Sequence, residues 1–161
     1  MKKLIVIRHA KSDWTNNTKD FDRPLSKRGN KDAPKMARLL LQQDIQIDHF
    51  VSSTANRAQT TCKLFAKEFK SGSIQLEDSL YMAAPQDFVE VITKLDDKYD
   101  TVAIFSHNNG LTYFVNDLSE KDIDHVPTCG VVGFNVDTDN WADFVAAKKE
   151  FQFFFYPKML G

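Results

Sequence analysis

The sequence predicts an α/β protein, a three-layer α/β/α sandwich built on a mostly parallel sheet. Short β-branched runs alternate along the chain with longer stretches that carry apolar residues at three- and four-residue spacing. This alternation is typical of parallel strands covered by helices. After Pro127 the sequence pattern changes to short apolar runs on either side of a polar turn, which predicts antiparallel strands near the C-terminus. We expect the 161 residues to form one domain, since a chain of this length buries roughly 68–70% of its unfolded surface.

The elements of the parallel part follow from local patterns. The predicted strands lie near Lys3–Ile7, His49–Ser52, Ile74–Glu77 and Thr101–Ser106. The predicted helices are Ser26–Gln43, Ala55–Phe69, Pro85–Leu95 and Gly110–Leu118. Pro34 lies inside the first of these helices, so we expect the regular part of that helix to begin near Asn30 to Asp32 and to hold the proline in its first turn.

The C-terminal region predicts strands over Gly130–Val136, Trp141–Ala147 and Phe151–Tyr156, with a polar turn at residues 137–140. The aromatic run at residues 151–156 is nearly continuous rather than alternating, which predicts an inner strand buried on both faces. The alternative is an exposed apolar surface for a partner or a second copy of the chain.

Charge and cysteine content exclude several classes of function. The chain has 21 Lys and Arg against 22 Asp and Glu, so it lacks the basic excess that general nucleic-acid binders need. Its two cysteines, Cys62 and Cys129, form neither a disulfide framework nor a zinc-binding Cys-x-x-Cys pair, which favours a reducing, cytoplasmic location. The apolar run before Arg8 has four residues, which is too few for a signal peptide or a membrane span.

Polar residues follow three of the predicted parallel strands at the point where each strand ends. These segments read RHAKS at residues 8–12, SSTANR at 52–57 and SHNNG at 106–110. Because the carboxyl ends of parallel strands lie along one rim of a sheet, we expect the three segments to meet in space.

The groups expected at this rim are two Arg, two His, several hydroxyls and two helix N-termini, with no carboxylate among them. Arg presents a planar fork that matches phosphoryl oxygens, and helix N-termini add unpaired N–H groups. The sequence therefore predicts an anion pocket for a phosphoryl group. Two His without a nearby Asp, Glu or Cys make an incomplete metal site, so neither a metal nor another cofactor is expected. We interpret His49 and His125 as structural.

Four motifs, in order along the chain, resemble those of the histidine phosphatase superfamily, which has the phosphoglycerate-mutase-like fold. They are RHAKSDW at residues 8–14, DRPLSKRG at 22–29, SSxxxRAxTT at 52–61 and SHN at 106–108. The similarity extends over residues 3–118 and is closest to the short SixA-type phosphohistidine phosphatases. The resemblance implies a single histidine phosphatase domain over residues 1–161.

The resemblance also implies a role for each motif residue. His9 would be the nucleophile that forms a transient phosphohistidine. Arg8 and Arg57 would clamp the phosphoryl oxygens, and His107 would donate to an oxygen from the opposite side. The implied substrate-binding residues are Arg23, Ser12 and Asn108.

The stretch after the third strand departs from the pattern of many relatives. Residues 80–85 read LYMAAP and hold no carboxylate to act as a general acid. An alcohol leaving group is strongly basic and needs such an acid, whereas imidazole, with a pKa of about 6.5, needs much less help. This absence favours phosphohistidine on a protein, or a small phosphoramidate, as the substrate. Asp13 and Glu77 remain candidate acids from neighbouring segments.

Other functions remain open or are excluded by the sequence. The alternatives are a small-molecule phosphomonoesterase of the same superfamily and a non-catalytic regulator that binds a phosphorylated ligand. The presence of both His9 and His107 disfavours the regulator. Cysteine-dependent phosphatases need Arg six residues after the Cys, where Cys62 and Cys129 are followed by Glu68 and Asn135. Short connections predict an open site that admits a phosphorylated protein surface, and we expect a monomer.

Overall fold

The computed structural model describes residues 1–15 and 17–160, and in that part of the chain it contains six strands and four α-helices. In chain order they are β1 (Lys2–Arg8), α1 (Lys27–Gln42), β2 (His49–Ser53), α2 (Asn56–Glu68), β3 (Ile74–Glu77), α3 (Pro85–Thr93), β4 (Thr101–Ser106), α4 (Gly110–Leu118), β5 (Val131–Val136) and β6 (Lys149–Phe155). No helix among the described residues is long and apolar enough to cross a membrane.

The six strands form one mixed sheet in the order β3-β2-β4-β1-β5-β6. The first four strands in this order run parallel, and β1 pairs with β4 in a register that places Arg8 opposite Ser106. The last two strands are antiparallel to their neighbours. The mostly parallel sheet with antiparallel C-terminal strands is therefore confirmed.

Helices cover both faces of the sheet, because side chains that alternate along each strand belong to two separate cores. On β1, Ile5 and Ile7 pack with residues of α1 and α2, whereas Leu4 and Val6 pack with residues of α3 and α4. Strand β4 is buried along its whole length and β1 over residues 4–7, as expected for parallel strands between helical layers. The three-layer α/β/α arrangement predicted from the sequence is confirmed.

Helix α1 begins earlier than predicted. Ser26 caps it, with the Ser26 Oγ accepting a 3.1 Å hydrogen bond from the Gly29 N–H, and the helix continues without a break through Pro34. Pro34 has no N–H, so the Asn30 carbonyl loses its helical partner. That loss is tolerated because Asn30 lies on the exposed side, where water can serve as the partner.

The strand predicted at Trp141–Ala147 is wrong. Residues Trp141–Asp143 form a short 3-10 helix, and the Trp141 ring is fully buried. Its indole N–H donates to the Tyr99 carbonyl at 2.8 Å, and its backbone N–H donates to the Asp97 carboxylate at 2.7 Å. These long-range partners fix the segment in a turn and outweigh its local strand preference.

The prediction of an inner strand for the aromatic run is also wrong. Strand β6 is at the edge of the sheet and pairs with β5 alone among the described strands. Phe153 and Phe155 pack against the core of α1 and α2, while Phe151 and Phe154 pack against the opposite core. Each of these rings stays half-buried, because the helices cover an edge strand only in part. The run is apolar on both faces without being enclosed.

Candidate active site

A cavity of about 270 Å³ opens at the carboxyl ends of β1, β2 and β4. All the residues that the sequence singles out for the site line it: Arg8, His9, Ser12, Arg23, Arg57, His107 and Asn108. Three further residues, which the sequence analysis did not assign, complete the lining: Lys11, Trp14 and Thr128. The rim expected from the strand order is thus a single pocket.

Two glycines allow the cavity-lining segments to pack closely. The Lys11 carbonyl accepts from both the N–H and the hydroxyl of Ser26, at 2.8 and 3.0 Å, and a Cβ on Gly29 would lie only 2.2 Å from that oxygen. At the start of α4, a Cβ on Gly110 would lie 1.8 Å from the Ala83 carbonyl oxygen. Any other side chain at either position would displace the backbone beside the cavity.

His9 is held as a neutral imidazole with a defined tautomer. Its Nδ1 lies 2.7 Å from the Ala10 carbonyl oxygen. Because a carbonyl only accepts, Nδ1 carries the proton and Nε2 carries the lone pair. Burial, assisted by the charges of Arg57 and Arg8, lowers the pKa of His9 to about 3. The ring is therefore uncharged across the physiological pH range, and its Nε2 carries a lone pair.

His107 faces His9 across the cavity, with 5.1 Å between the two ring centroids. Its Nε2 lies 2.8 Å from the hydroxyl of Ser53, which also accepts the N–H of Ala55 at 3.2 Å. When the Ser53 hydroxyl donates to Nε2, the His107 proton resides on Nδ1. Burial, followed by the charges of His9 and Arg57, lowers the pKa of His107 to about 3.

Three buried side-chain nitrogens in the described part of the chain have no hydrogen-bond partner, and all three belong to residues lining this cavity. They are Arg8 Nε, Arg57 Nε and His107 Nδ1. A buried donor without a partner costs about 1–3 kcal/mol, which is far from negligible. The cluster is therefore suited to bind an anion that accepts from several donors at once.

The guanidinium groups of Arg8 and Arg57 are oriented by backbone carbonyls. Arg8 Nη1 donates to the Val126 carbonyl at 3.0 Å, and Arg57 Nη1 donates to the Asp20 carbonyl at 2.6 Å. Burial and the charge of Arg57 lower the pKa of Arg8. Two cationic groups close enough to repel each other mark the place where negative charge is stabilised.

Arg23 is fixed by three neighbours. Its Nε donates to the Ser12 hydroxyl at 3.0 Å, and its Nη1 donates to the Asp20 carboxylate at 2.6 Å. The Trp14 ring lies over the guanidinium, 3.6 Å from the guanidinium carbon to the ring centroid. Ser12 therefore acts on the cavity through Arg23.

No carboxylate is among the described residues that line the cavity, but Asp20 lies directly behind it and pairs with Arg23 and Arg57. Its carboxylate accepts from Arg23, from Arg57 Nη2 at 3.2 Å and from the Tyr81 hydroxyl at 2.5 Å. The Tyr81 hydrogen bond, reinforced by the two Arg, holds the pKa of Asp20 well below its usual range. Asp20 is thus ionised and carries no proton to donate at neutral pH.

Residues 4–81 match the family model described as histidine phosphatase superfamily (branch 1). The match spans 78 of the 161 residues and contains three of the four motifs. An uncharacterized chloroplastic protein of Arabidopsis thaliana is 29% identical over 156 residues, which are 90% of this chain and 71% of that protein. The family-model match supports activity as a phosphatase hydrolase.

Two solved structures share the whole fold with this chain. A protein histidine phosphatase SixA complexed with tungstate has a TM-score of 0.83 at 19% identity, with 99% of both chains covered. A mycobacterial glucosyl-3-phosphoglycerate phosphatase complexed with VO3 has a TM-score of 0.75 at 13% identity, covering 95% of this chain and 98% of that one. At these identities the likeness establishes the phosphoglycerate-mutase-like architecture.

The side-chain amide of Asn108, the last residue of the SHN motif, is hydrogen-bonded to other residues of the protein. Its amide nitrogen donates to the Val126 carbonyl at 3.0 Å, and its amide oxygen accepts from the Thr112 hydroxyl at 2.8 Å. These contacts tie the start of α4 to the segment that precedes β5. Its contribution to substrate binding stays a prediction.

The two candidate acids, Asp13 and Glu77, are not among the residues that line the cavity. The Asp13 carboxylate accepts from the Thr15 N–H and hydroxyl at 2.8 and 2.6 Å, and the Glu77 carboxylate accepts from the Gln75 amide at 2.7 Å. The structure therefore places neither of these carboxylates at the predicted nucleophile.

The interpretation as a structural residue holds for His49 but not for the exposed His125. His49 is hydrogen-bonded to Ser73 and Gln75, and His125 lies on the surface. Cys62 belongs to the core of α1 and α2, where burial raises the pKa of its thiol to about 12. Among the described residues, no group of three or more His, Cys, Asp and Glu is arranged to hold a metal ion.

Proposed function

We propose that the protein removes the phosphoryl group from phosphohistidine on another protein, or from a related phosphoramidate, through a covalent phosphohistidine on His9. The observation that carries this proposal is the neutral His9 ring, whose Nε2 lone pair belongs to a cavity with three unpartnered donor nitrogens. Arg8, Arg57 and His107 are the catalytic groups around it. Arg23, supported by Ser12, is the substrate-binding group at the mouth.

In the first step the His9 Nε2 lone pair bonds to phosphorus while the P–N bond of the substrate breaks. The electron pair of that bond stays on the substrate nitrogen, and a substrate ring that carries a proton leaves as neutral imidazole. The free N–H donors of Arg8 and Arg57 stabilise the charge on the phosphoryl oxygens during transfer.

In the second step a water oxygen bonds to phosphorus and the N–P bond on His9 breaks. Its electron pair returns to Nε2, and both water protons leave with the product as dihydrogen phosphate. His9 regains the neutral form with its proton on Nδ1, where the Ala10 carbonyl accepts it. The Nδ1–H of His107 donates to a phosphoryl oxygen in both steps.

The state of Asp20 supports an N-phosphorylated substrate. It is the carboxylate nearest the clamp of arginines, and its hydrogen bonds keep it ionised. An alkoxide leaving group would find no protonated carboxylate there, whereas imidazole leaves without one. The fold shared with a protein histidine phosphatase SixA favours the same substrate class.

A small-molecule phosphomonoesterase is the second candidate. The fold is also shared with a glucosyl-3-phosphoglycerate phosphatase, which acts on an alkyl phosphate. Rates on phosphoramidates and alkyl phosphates, measured at equal concentrations, separate the two. Comparable rates would favour the phosphomonoesterase, and much faster cleavage of phosphoramidates supports the first proposal.

A rapid-quench experiment with a labelled phosphohistidine peptide tests the covalent step. We expect an acid-labile, base-stable phosphoenzyme that is absent in His9→Gln. His125→Gln is the matched control, because His125 lies on the surface away from the cavity. Undiminished turnover by His9→Gln would rule out the mechanism.

We further propose that the protein works as a cytoplasmic monomer. Both cysteines are free thiols, which is typical of a reducing compartment. Sedimentation equilibrium of the purified protein tests the monomer, and cell fractionation tests the location.

A further inference from the structure

We propose that Trp14 forms a subsite for an aromatic leaving group, so that the enzyme prefers N-phosphoryl substrates whose departing nitrogen belongs to a planar ring. This inference rests on the proposed function. It adds a determinant of substrate choice, located outside the groups that hold the phosphoryl oxygens.

Trp14 is one of the residues that line the cavity holding both histidines. Its side chain is 74% exposed although it is one of the largest apolar groups in the protein. The Arg23 guanidinium covers one ring face at 3.6 Å. The exposure of the side chain means that the opposite face is open to solvent.

The position of the indole is defined, because the group beneath it cannot turn freely. Arg23 is buried, with its Nε on Ser12 and its Nη1 on Asp20. A guanidinium held at two of its nitrogens presents a fixed plane on which the indole stacks. Trp14 is therefore a prearranged surface beside the phosphoryl pocket.

The chemistry of the lining makes Trp14 distinct. The other residues around the cavity in the described part of the chain are cationic, polar or histidine, and they suit an anion. Trp14 is the lining residue with a large apolar ring, and it suits the part of the substrate that is not phosphate. An imidazole or imidazolium ring stacks on an indole face through its own π system and its partial positive charge.

A substrate without a ring gains nothing from this surface. Phosphoramidate itself releases ammonia, whereas N-phosphoimidazole and phosphohistidine release an imidazole. The ratio of kcat/KM for N-phosphoimidazole to kcat/KM for phosphoramidate therefore isolates the ring contribution, because the phosphoryl group is the same in both compounds.

The test compares this ratio in the wild type, Trp14→Ala and Trp14→Phe. We expect the ratio to fall roughly ten-fold in Trp14→Ala, as for loss of one stacking partner, and to recover substantially in Trp14→Phe. The control is Met82→Ala, because Met82 is an 85% exposed apolar residue outside the cavity lining. That variant should keep the wild-type ratio.

An unchanged ratio in Trp14→Ala, with both activities reduced equally, would overturn the proposal and leave Trp14 as a support for Arg23. A wild type that cleaves neither compound would instead contradict the proposed function. The two failures are therefore distinguishable.

Tryptophan fluorescence gives a second readout that does not depend on turnover. The chain has two tryptophans, and Trp141 is 0% exposed. Imidazole added to the wild type in the presence of vanadate should change the emission through Trp14. The same titration of Trp14→Phe, which keeps Trp141, should show no change. A response that persists in Trp14→Phe would count against a ring subsite at Trp14.

Discussion

Asp20 holds Arg57 by two contacts, one from its backbone and one from its side chain. Arg57 Nη1 donates to the Asp20 carbonyl at 2.6 Å, and Arg57 Nη2 donates to the carboxylate at 3.2 Å. Both terminal nitrogens of the guanidinium are thereby occupied, and Nε is the nitrogen without a partner in the described chain. A carboxylate beside an anion pocket opposes anion binding by its charge. The contribution of Asp20 is therefore to position the Arg57 guanidinium.

Removal of the Asp20 side chain should therefore slow the chemical step. We expect Asp20→Ala to lower kcat at least ten-fold with a smaller change in KM, because Arg23 and Arg57 lose their shared acceptor. Asp20→Asn, which still accepts from Tyr81, should lose less. Asp22→Asn is the matched control, because Asp20 and Asp22 both lie in the short 3-10 helix Asp20–Asp22. Faster turnover in Asp20→Ala would show that Asp20 competes with the substrate for Arg57.

The two cavity histidines should not titrate near the ordinary imidazole pKa. Burial lowers the pKa of both His9 and His107 to about 3, so each ring stays neutral from pH 8 down to pH 5. Histidine proton shifts followed by NMR, assigned with His9→Gln and His107→Gln, test this. A titration midpoint near 6.5 for either ring would contradict the neutral nucleophile.

The same pKa shifts predict how stability changes with pH. Below about pH 6.5 the unfolded chain takes up protons at these histidines while the folded chain does not, so the free energy of unfolding falls as pH drops toward 3. Above pH 6.5 both histidines are neutral in the folded and the unfolded chain, so their titration no longer lowers the free energy of unfolding. Urea unfolding of the wild type and His9→Gln at pH 7 and pH 5 measures it. The wild type should lose more stability between these two pH values than the variant does.

Vanadate should inhibit the enzyme as a mimic of the transferring phosphoryl group. Arg57→Lys should weaken this inhibition roughly ten-fold, because an ammonium cannot reproduce the planar guanidinium that lines the cavity and is held by Asp20 through two of its nitrogens. Arg28→Lys is the control, since Arg28 is exposed and pairs with Asp32 at 3.5 Å. Equal inhibition of all three proteins would place the anion away from Arg57.

Gly110→Ala should destabilise the protein and disturb the site together. The added Cβ would lie 1.8 Å from the Ala83 carbonyl oxygen, and relief of such an overlap typically costs about 1–3 kcal/mol. Gly72→Ala is the matched control, because a Cβ there meets nothing within 4 Å. Thermal unfolding and kcat/KM of both variants check the prediction. A Gly110→Ala variant as stable as Gly72→Ala would show that the 82–84 segment moves easily.

The sequence predicts those parts of the site that depend on strand ends. Arg8 ends β1, while His9 and His107 directly follow β1 and β4, and the geometry of a parallel sheet brings such positions together. Asp20 and Tyr81 lie in connections, where no periodic pattern records the path of the chain. The spacing of Asp20 and Arg23 within one short 3-10 turn is the signal that could have joined them.

The two wrong predictions about the fold also concern features that depend on distant parts of the chain. The Trp141 segment has strand-like composition, yet its partners, Tyr99 and Asp97, are more than forty residues away in sequence. The aromatic run of β6 was predicted to be internal because apolar content records burial but not strand order. Both are long-range facts that local propensity does not contain.

The carbonyl of Val126 accepts from Arg8 and from Asn108 at 3.0 Å each. This oxygen lies well beyond the residues that match the family model, and also beyond the last of the four motifs. A chain cut after α4 would keep each recognisable signature and lose the anchor for two of the residues that those signatures contain. In evolutionary terms, a backbone atom leaves no trace in residue identity: the Val126 side chain is constrained by the core in which it is buried, and nothing in its identity records the demand on its carbonyl oxygen.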